Sequence, residues 1–169
     1  LEYYLSLKDL IKKFNSEISI SFKSKKFGGN LIDDLNIKTS TAYGRLNFSK
    51  NIKISKSNFN CKGNTNLVED YPILNFKCQL YSLDKKELLK KFKIDYKIKN
   101  KKINLIVIGN LNVLNNKINF DSITTDSGYK ASKEDIKYFK STFENLLFDK
   151  SFINIFELSK IKKLILEIS

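Results

Sequence analysis

The chain has 169 residues with a formal net charge of +13, and 41% of its residues are hydrophobic. This length and composition predict one folded domain with a core rather than a disordered chain. Histidine is absent, which excludes the usual zinc sites, Ser–His–Asp triads and Cys–His pairs. The longest unbroken apolar run is residues 105–108, far short of the roughly 20 residues that cross a bilayer as a helix.

The basic residues are nearly all lysine, and Arg45 is the single arginine. Lysine, asparagine and isoleucine can all be encoded by A/T-rich codons, so genome composition accounts for much of this charge. A nucleic-acid surface usually adds arginine, and aromatic side chains among the basic ones. We therefore expect the chain not to bind nucleic acid, although its charge attracts polyanions and anionic lipid surfaces in general.

At the start of the chain the apolar residues recur at helical spacing, and after that they alternate with polar residues. An amphipathic helix is predicted at residues 3–14. Its apolar stripe is formed by Leu7, Leu10, Ile11 and Phe14. A strand follows, in which Ile18, Ile20 and Phe22 alternate with polar residues. A second strand begins at Leu35, after a glycine-containing turn at residues 27–30.

Further alternating stretches continue along the middle of the chain. They are residues 43–48, 52–62, 72–82, 91–99, 102–112 and 117–125, with a short helical turn at 83–91. Hairpin turns are predicted at residues 100–101 and 115–116. In the stretch 91–99, the apolar face carries Phe92, Ile94, Tyr96 and Ile98. The alternation keeps lysine off the apolar side of these strands, so the lysines form a solvated face.

The last part of the chain returns to helical periodicity. Ser132 is a predicted N-cap with Asp135 three residues later, a variant of the capping box, and the helix continues to residue 148. A short apolar piece at 152–156 and a final helix from Ser159 follow.

This order of elements predicts a mainly β fold with terminal α-helices. Roughly eight or nine strands form a curved, groove-like antiparallel meander, with one helix at the N-terminus and one or two near the C-terminus. We expect a single domain over residues 1–169, divided into a helical lead-in (1–16), the sheet (17–126) and a helical end (130–169). The sequence opens on Leu1, with neither methionine nor a signal peptide, so we expect it to be a segment of a longer protein.

The two cysteines are predicted to face each other. If the chain turns at residues 69–72, Cys61 lies opposite Cys78 and Phe59 opposite Leu80. A cross-strand disulfide or two buried thiols are both compatible with this register, and the buried thiols are favoured.

Catalytic signatures are absent from the sequence. The adjacent acidic pairs at residues 33–34, 69–70 and 134–135 lie near turns or a helix start, where the helix dipole and turn chemistry account for them. Two cysteines without histidine do not make a metal site, and residues 27–30 lack the rest of a phosphate-binding loop. We expect a protein that is not an enzyme and has neither metal nor cofactor.

The apolar side of the sheet must be covered. Three coverings remain open from the sequence: the helices at 3–14 and 132–148, a second layer of the same sheet, or a bound apolar ligand.

The C-terminal half resembles the C-terminal region of AsmA-like proteins of Gram-negative bacteria. The resemblance is carried by GNLNVLNNKINFDSITTDSGYKASKEDIKYFKSTFENLLFD (109–149) and IFELSKIKKLILEIS (155–169), and NLVEDYPILNF (66–76) is similar in style. It implies a non-catalytic periplasmic segment of a protein that an N-terminal helix, missing here, anchors in the inner membrane. Such proteins, related to TamB and bridge-like lipid-transfer proteins, act in outer-membrane biogenesis by holding or conducting phospholipid acyl chains along an apolar β-sheet groove.

Under this resemblance the expected partners are phospholipid, the membrane and other envelope proteins. The alternative is a structural or protein-interaction β-domain with a closed core and no ligand. The groove candidates are Ile18, Ile20, Phe22, Phe59, Leu74, Phe76, Leu80, Phe92, Ile94, Tyr96 and Ile98.

Overall fold

The fold is an open, curved antiparallel sheet of seven strands with three helices, seen in a computed structural model that describes residues 2–24, 31–94, 102–125 and 128–147. The strands are β1 (Ser16–Lys23), β2 (Asp34–Ala42), β3 (Arg45–Ile54), β4 (Ser57–Asn66), β5 (Ile73–Ser82), β6 (Ile103–Asn112) and β7 (Lys117–Thr125). The helices are α1 (Glu2–Lys13), α2 (Lys85–Lys91) and α3 (Lys133–Leu147). Every strand pairs with its neighbour in sequence, so the predicted mainly β fold and meander are confirmed.

The boundary between β3 and β4 differs from the predicted one. Alternation continues without a break from Arg45 to Ile54, and the chain then turns at residues 55–56. Ser55 adopts the left-handed conformation (φ 53°), which lets the two strands connect through only two residues. The predicted stretch 43–48 therefore begins in the β2–β3 turn and continues into β3, and the predicted stretch 52–62 contains the β3–β4 turn.

The predicted strand at residues 91–99 is wrong where the structure describes it. α2 continues to Lys91 and Phe92 is its C-cap. Lys93 is left-handed (φ 57°), and the N–H of Ile94 donates to the carbonyl of Leu89 at 3.0 Å. Tyr96 and Ile98 lie outside the described residues, as do the turn at 100–101, the piece at 152–156 and the final helix. Within the described ranges there are seven strands, against the eight or nine expected.

The buried side chains lie at opposite ends of the sheet. One cluster lies around α2 and the β3–β4 turn, and the other lies on β6, β7 and the loop that precedes α3. The first contains Ile54, Leu88, Leu89 and Ile94; the second contains Leu111, Ile118, Ile123 and Ala131. The centre of the sheet contributes none of these side chains, so it is not the core of the domain.

Hydrogen bonds and an ion pair fix α2 to the β3–β4 turn. Asp84 caps α2 by accepting from the N–H of Glu87 at 2.9 Å. The Ser55 hydroxyl donates to the Glu87 carboxylate, and Lys56 pairs with it at 3.0 Å. These two contacts hold the pKa of Glu87 below its ordinary value.

α3 covers the outer edge of β7. The Glu144 carboxylate accepts from the backbone N–H of Ile118 at 3.2 Å, and Lys140 donates to the side chain of Asn119 at 2.7 Å. The rings of Phe120 and Phe143 meet edge to face, with centroids 5.5 Å apart. The Glu144 contact satisfies a backbone N–H of an edge strand that would otherwise be open to pairing.

The N-cap of α3 is confirmed. The hydroxyl of Ser132 accepts from the N–H of Asp135 at 3.1 Å, and the carboxylate of Asp135 accepts from the N–H of Ser132 at 3.0 Å. This is the reciprocal arrangement of a capping box with aspartate as the acidic member.

α1 lies across hairpin turns at one end of the sheet. Lys8 pairs with Asp70 in the β4–β5 connection at 2.6 Å, and Asn15 accepts from the N–H of Tyr43 in the β2–β3 turn at 3.1 Å. Leu10 and Phe14 on its apolar stripe remain more than half exposed. α1 therefore does not bury its whole apolar side against the sheet.

Candidate apolar groove

The register divides the sheet into an apolar face and a polar face, because residues that pair across antiparallel strands share a face. On the apolar face, paired residues line up in rows that cross all seven strands. The central row is Ile18, Thr39, Phe48, Gly63, Phe76, Gly109 and Phe120. The rows beside it are Ile20, Ile37, Lys50, Cys61, Cys78, Val107, Ile123 and Phe22, Leu35, Ile52, Phe59, Leu80, Leu105, Thr125.

Phenylalanine and glycine alternate along the central row from β3 to β7. We call Phe48, Gly63, Phe76, Gly109 and Phe120 the Phe–Gly row. A Cβ added to Gly63 would stand 2.5 Å from a ring atom of Phe48, and one added to Gly109 would stand 2.8 Å from the ring of Phe76. Each ring thus lies over the glycine of the next strand, in the space that a side chain at that position would occupy.

An apolar groove of about 670 Å³ lies on this face, over β2 to β6. Its lining includes Ile37, Leu46, Phe48, Ile52, Phe59, Leu74, Leu80, Leu105 and Val107. All of these side chains are half-buried, and none is fully covered. Over the residues that the structure describes, the centre of the apolar face is therefore open rather than a closed core.

The exposure of the apolar face changes steadily from one side of the sheet to the other. On β1 the side chains of Ile18, Ile20 and Phe22 are 51%, 53% and 45% exposed. On β7 the side chains of Ile118 and Ile123 are only 4% and 5% exposed, because α3 packs there. The groove is thus bounded at its β7 side and uncovered at its β1 side.

The structure brings most of the sequence-derived groove candidates onto this face. Ile18, Ile20 and Phe22 lie on β1, Phe59 on β4, and Leu74, Phe76 and Leu80 on β5. Two candidates do not belong to it: Phe92 caps α2, and Ile94 is buried beside that helix with 4% of its surface exposed. Because α2 continues to Lys91 and buries Leu88 and Leu89, Phe92 and Ile94 belong to the end of this helix and not to a strand.

Other groove residues were not identified from the sequence. Of the candidates, Phe59, Leu74 and Leu80 line the groove; the residues that line it beside them are Ile37, Leu46, Phe48, Ile52, Leu105 and Val107. Once the register is known, these residues can be identified because they pair with apolar-face residues on the neighbouring strands. The two glycines of the Phe–Gly row carry no such signal individually.

Lys50 is an exception to the expectation that lysine stays off the apolar face. It follows Leu46 and Phe48 at the same parity and lines the groove between Ile37 and Cys61. Burial lowers the pKa of its ammonium group from the ordinary 10.5. Among the described strands it is the single charged residue on the apolar face. The sequence-based prediction missed it because residue 50 was placed between two strands.

Cys61 and Cys78 pair directly across β4 and β5, as predicted from the register, and so do Phe59 and Leu80. The two sulfur atoms form a disulfide, rather than the two separate thiols that were favoured from the sequence. The disulfide lies on the apolar face beside Lys50 and Val107. It contributes to the groove floor and cross-links the central strands.

The opposite face is polar and carries rows of its own. One row joins Asn47, Asn64, Asn75, Asn110 and Asn119 across β3 to β7. The row beside it contains Lys38, Lys62 and Lys77, and Lys62 pairs directly with Lys77. These lysines border a shallow concavity of about 570 Å³ with asparagine and serine neighbours. These three lysines thus lie on the polar face, opposite the groove.

Two acidic side chains near turns have structural partners. Asp33 accepts from the N–H of Ser55, and Asp70 accepts from Lys8, which holds the pKa of Asp70 below its ordinary value. In the described ranges there is no cluster of three or more potential metal-ligating side chains. In those same ranges, none of the helices has the length and apolar character that a membrane span requires.

Comparisons with known proteins return no match among protein-family models, curated proteins or solved structures.

Proposed function

We propose that this segment is non-catalytic and holds phospholipid acyl chains in the apolar groove over β2 to β6. The observation that carries the proposal is the open centre of the apolar face, where Phe48, Phe59 and Leu105 are half-buried and lack a covering layer in the described chain. An apolar surface of this kind gains free energy when another apolar group displaces its water. The resemblance to AsmA-like proteins of the Gram-negative envelope supports acyl chains as that group, and a periplasmic, inner-membrane-anchored parent protein as its setting.

The dimensions and energies of the groove suit an acyl chain. The groove crosses five strands, from β2 to β6, so four strand spacings of about 4.8 Å give it a length of about 19 Å. Withdrawing one CH₂ group from water is worth about 0.8 kcal/mol, so a chain of about 16 carbons gains up to about 12 kcal/mol when fully covered. On an open face, only the side of the acyl chain that contacts the protein is withdrawn from water. The gain in free energy is therefore smaller, which favours reversible binding.

Lys50 gives the groove one polar element. Its side chain lines the groove and places an ammonium group among the apolar residues there. In that position its charge favours an anionic lipid group over a neutral one.

The alternative is a structural or protein-interaction domain without a ligand. That function needs a closed core, and the buried side chains of the described chain are instead divided between the α2 and α3 ends of the sheet. The groove therefore supports the lipid-holding function better.

A photo-crosslinking experiment tests the proposal. A photoreactive phenylalanine analogue replaces Phe76 on the apolar face or Lys77, its neighbour on the polar face, and the protein is mixed with phosphatidylcholine vesicles. A zwitterionic lipid is used because the net charge of +13 binds anionic vesicles without a groove. We expect lipid adducts at position 76 at several times the yield at position 77, and equal yields would refute the groove.

A matched pair of variants controls for surface binding. Ile37→Lys introduces a charge into the groove and should strongly reduce the adducts at position 76. Lys38→Gln changes the adjacent residue on the polar face and should leave them unchanged. Loss of the adducts in both variants would attribute the labelling to general surface attraction, contrary to the proposal.

A further inference from the structure

We propose that the outer edge of β1 pairs with β1 of a second copy of this chain, joining two seven-stranded sheets into one. This inference concerns the sheet edge and does not depend on the ligand of the groove. The two edges of the sheet differ: α3 covers β7, whereas among the described residues β1 has β2 as its single strand neighbour. From Glu17 to Lys23 every residue of β1 is exposed.

The edge of β1 has few of the features that normally prevent edge pairing. It contains neither proline nor a bulge, and its three apolar side chains are about half exposed. Its charged residues are Glu17 and Lys23, which lie near opposite ends of the strand. Among the described residues, neither of them forms an ion pair within the chain.

The sequence of β1 is complementary to itself in one antiparallel register. With Ile20 on the two-fold axis, Ile20 meets its own copy, Ile18 meets Phe22 of the second copy, and Glu17 meets Lys23 of the second copy. Each apolar pair lies on the apolar face and each charged pair on the polar face, because paired residues share a face. The two-fold symmetry forms both the Ile18–Phe22 contact and the Glu17–Lys23 contact twice.

Opposite charges favour this register over its neighbours. A shift by two residues keeps the faces matched but separates Glu17 from Lys23. Pairing eight-residue edges buries a modest area, so we expect a weak, concentration-dependent dimer. In the dimer the apolar faces of the two copies are continuous across the axis, since Ile18, Ile20 and Phe22 stand on both sides of it.

Cysteine scanning of the full chain tests the register. Single cysteines replace Ile18, Ser19, Ile20, Ser21 and Phe22 in turn, and cross-linking under mild oxidation is read by mass spectrometry. We expect Ile20→Cys to cross-link to itself, whereas Ile18→Cys and Phe22→Cys cross-link efficiently only when mixed. A maximum at Ser19 or Ser21, or no cross-linking at any of the five positions, would overturn the proposal.

Charge exchange tests the pairing in the absence of new cysteines. Glu17→Lys and Lys23→Glu change the net charge in opposite directions, yet both replace attraction by repulsion, so each should raise the dissociation constant roughly tenfold in sedimentation equilibrium. The double variant restores the opposite pairs in reversed order and should return the constant to within about threefold of the wild type. A monomeric wild-type chain, or opposite effects of the two single variants, would contradict the dimer, and neither result bears on lipid binding.

Discussion

The ring of Phe48 lies over Gly63, its partner on the neighbouring strand, and occupies the space where a Cβ would stand. An added Cβ would come within 2.5 Å of one ring atom and would also meet the carbonyl oxygen of Asn75 on the other side. Phe76 and Gly109 repeat the arrangement two strands further along. The glycines therefore do not weaken the sheet in the usual way, because aromatic rings fill the space that their missing side chains leave.

The first prediction follows from this contact. Gly63→Ala should lower the free energy of unfolding by about 2 kcal/mol, because the ring of Phe48 and the backbone of Asn75 must both move. Alanine has a higher strand propensity than glycine, so propensity alone predicts the opposite sign. Urea titration followed by circular dichroism measures the change.

The neighbouring residue supplies the control for this substitution. Asn64→Ala lies on the same strand but on the exposed polar face, and should change stability by about 0.5 kcal/mol or less. If Gly63→Ala is as stable as the wild type, the close approach of Phe48 is not a constraint.

Most of the correct fold predictions rest on two local signals: the alternation of polar and apolar residues, and the matching of residue numbers across a hairpin. The register that places Cys61 opposite Cys78 needs only one turn position and matched parity, and both are local properties of the sequence. The capping residues Ser132 and Asp135 likewise identify the start of α3 through short-range chemistry. These features were predictable because each involves neighbouring residues or one hairpin.

The failures come from tertiary packing and from unusual backbone conformations. Residues 92–98 alternate like a strand, yet burial of Leu88 and Leu89 favours helix through Lys91. The left-handed conformation of Lys93, which ends that helix, is uncommon for lysine and has no sequence signal. Lys50 was missed because residues 49–51 fell between two predicted stretches, although the strand continues through them.

The disulfide between Cys61 and Cys78 should stabilise the sheet. It closes a segment with a sequence separation of 17, and a loop of this size is worth roughly 3 kcal/mol through restriction of the unfolded chain. We expect dithiothreitol to lower the free energy of unfolding by about this amount. The Cys61→Ala/Cys78→Ala variant should be insensitive to the reductant. Equal stability of the wild type with and without dithiothreitol would show that the two thiols are not bonded in solution.

The cap of α3 should give the protein an acid-sensitive contribution to stability. Hydrogen bonds from Tyr129 and Ser132 hold the pKa of Asp135 below its ordinary 3.8. A carboxyl group with a lowered folded pKa stabilises the native state above pH ~4 and loses that contribution as pH falls through the folded value. The stability difference between wild type and Asp135→Asn should therefore shrink as pH decreases from ~5 to ~2, measured by thermal unfolding. A difference that stays constant over this range would contradict the role of the ionised carboxylate.

Lys50 should also make stability rise with pH, but at alkaline pH. Burial lowers its folded pKa from 10.5, so the unfolded chain retains this proton over a range where the folded protein has released it. Since stability rises with pH wherever the unfolded state binds more protons, the wild type should gain stability relative to Lys50→Met as pH rises toward 10.5. Comparing the two proteins at each pH cancels the titration of the other lysines and tyrosines.

At neutral pH the same substitution should be stabilising, because it removes a desolvated charge and keeps an unbranched side chain on the groove floor. Lys62→Met, on the neighbouring strand and exposed on the polar face, is the matched control and should bring no such gain. Urea titrations of the three proteins at pH 7 and at about pH 10 measure both effects. If Lys50→Met is less stable than the wild type at pH 7, the ammonium group contributes a favourable interaction that outweighs its burial. The groove would then need Lys50 as a structural element and not only as a point of contact for an anionic lipid group.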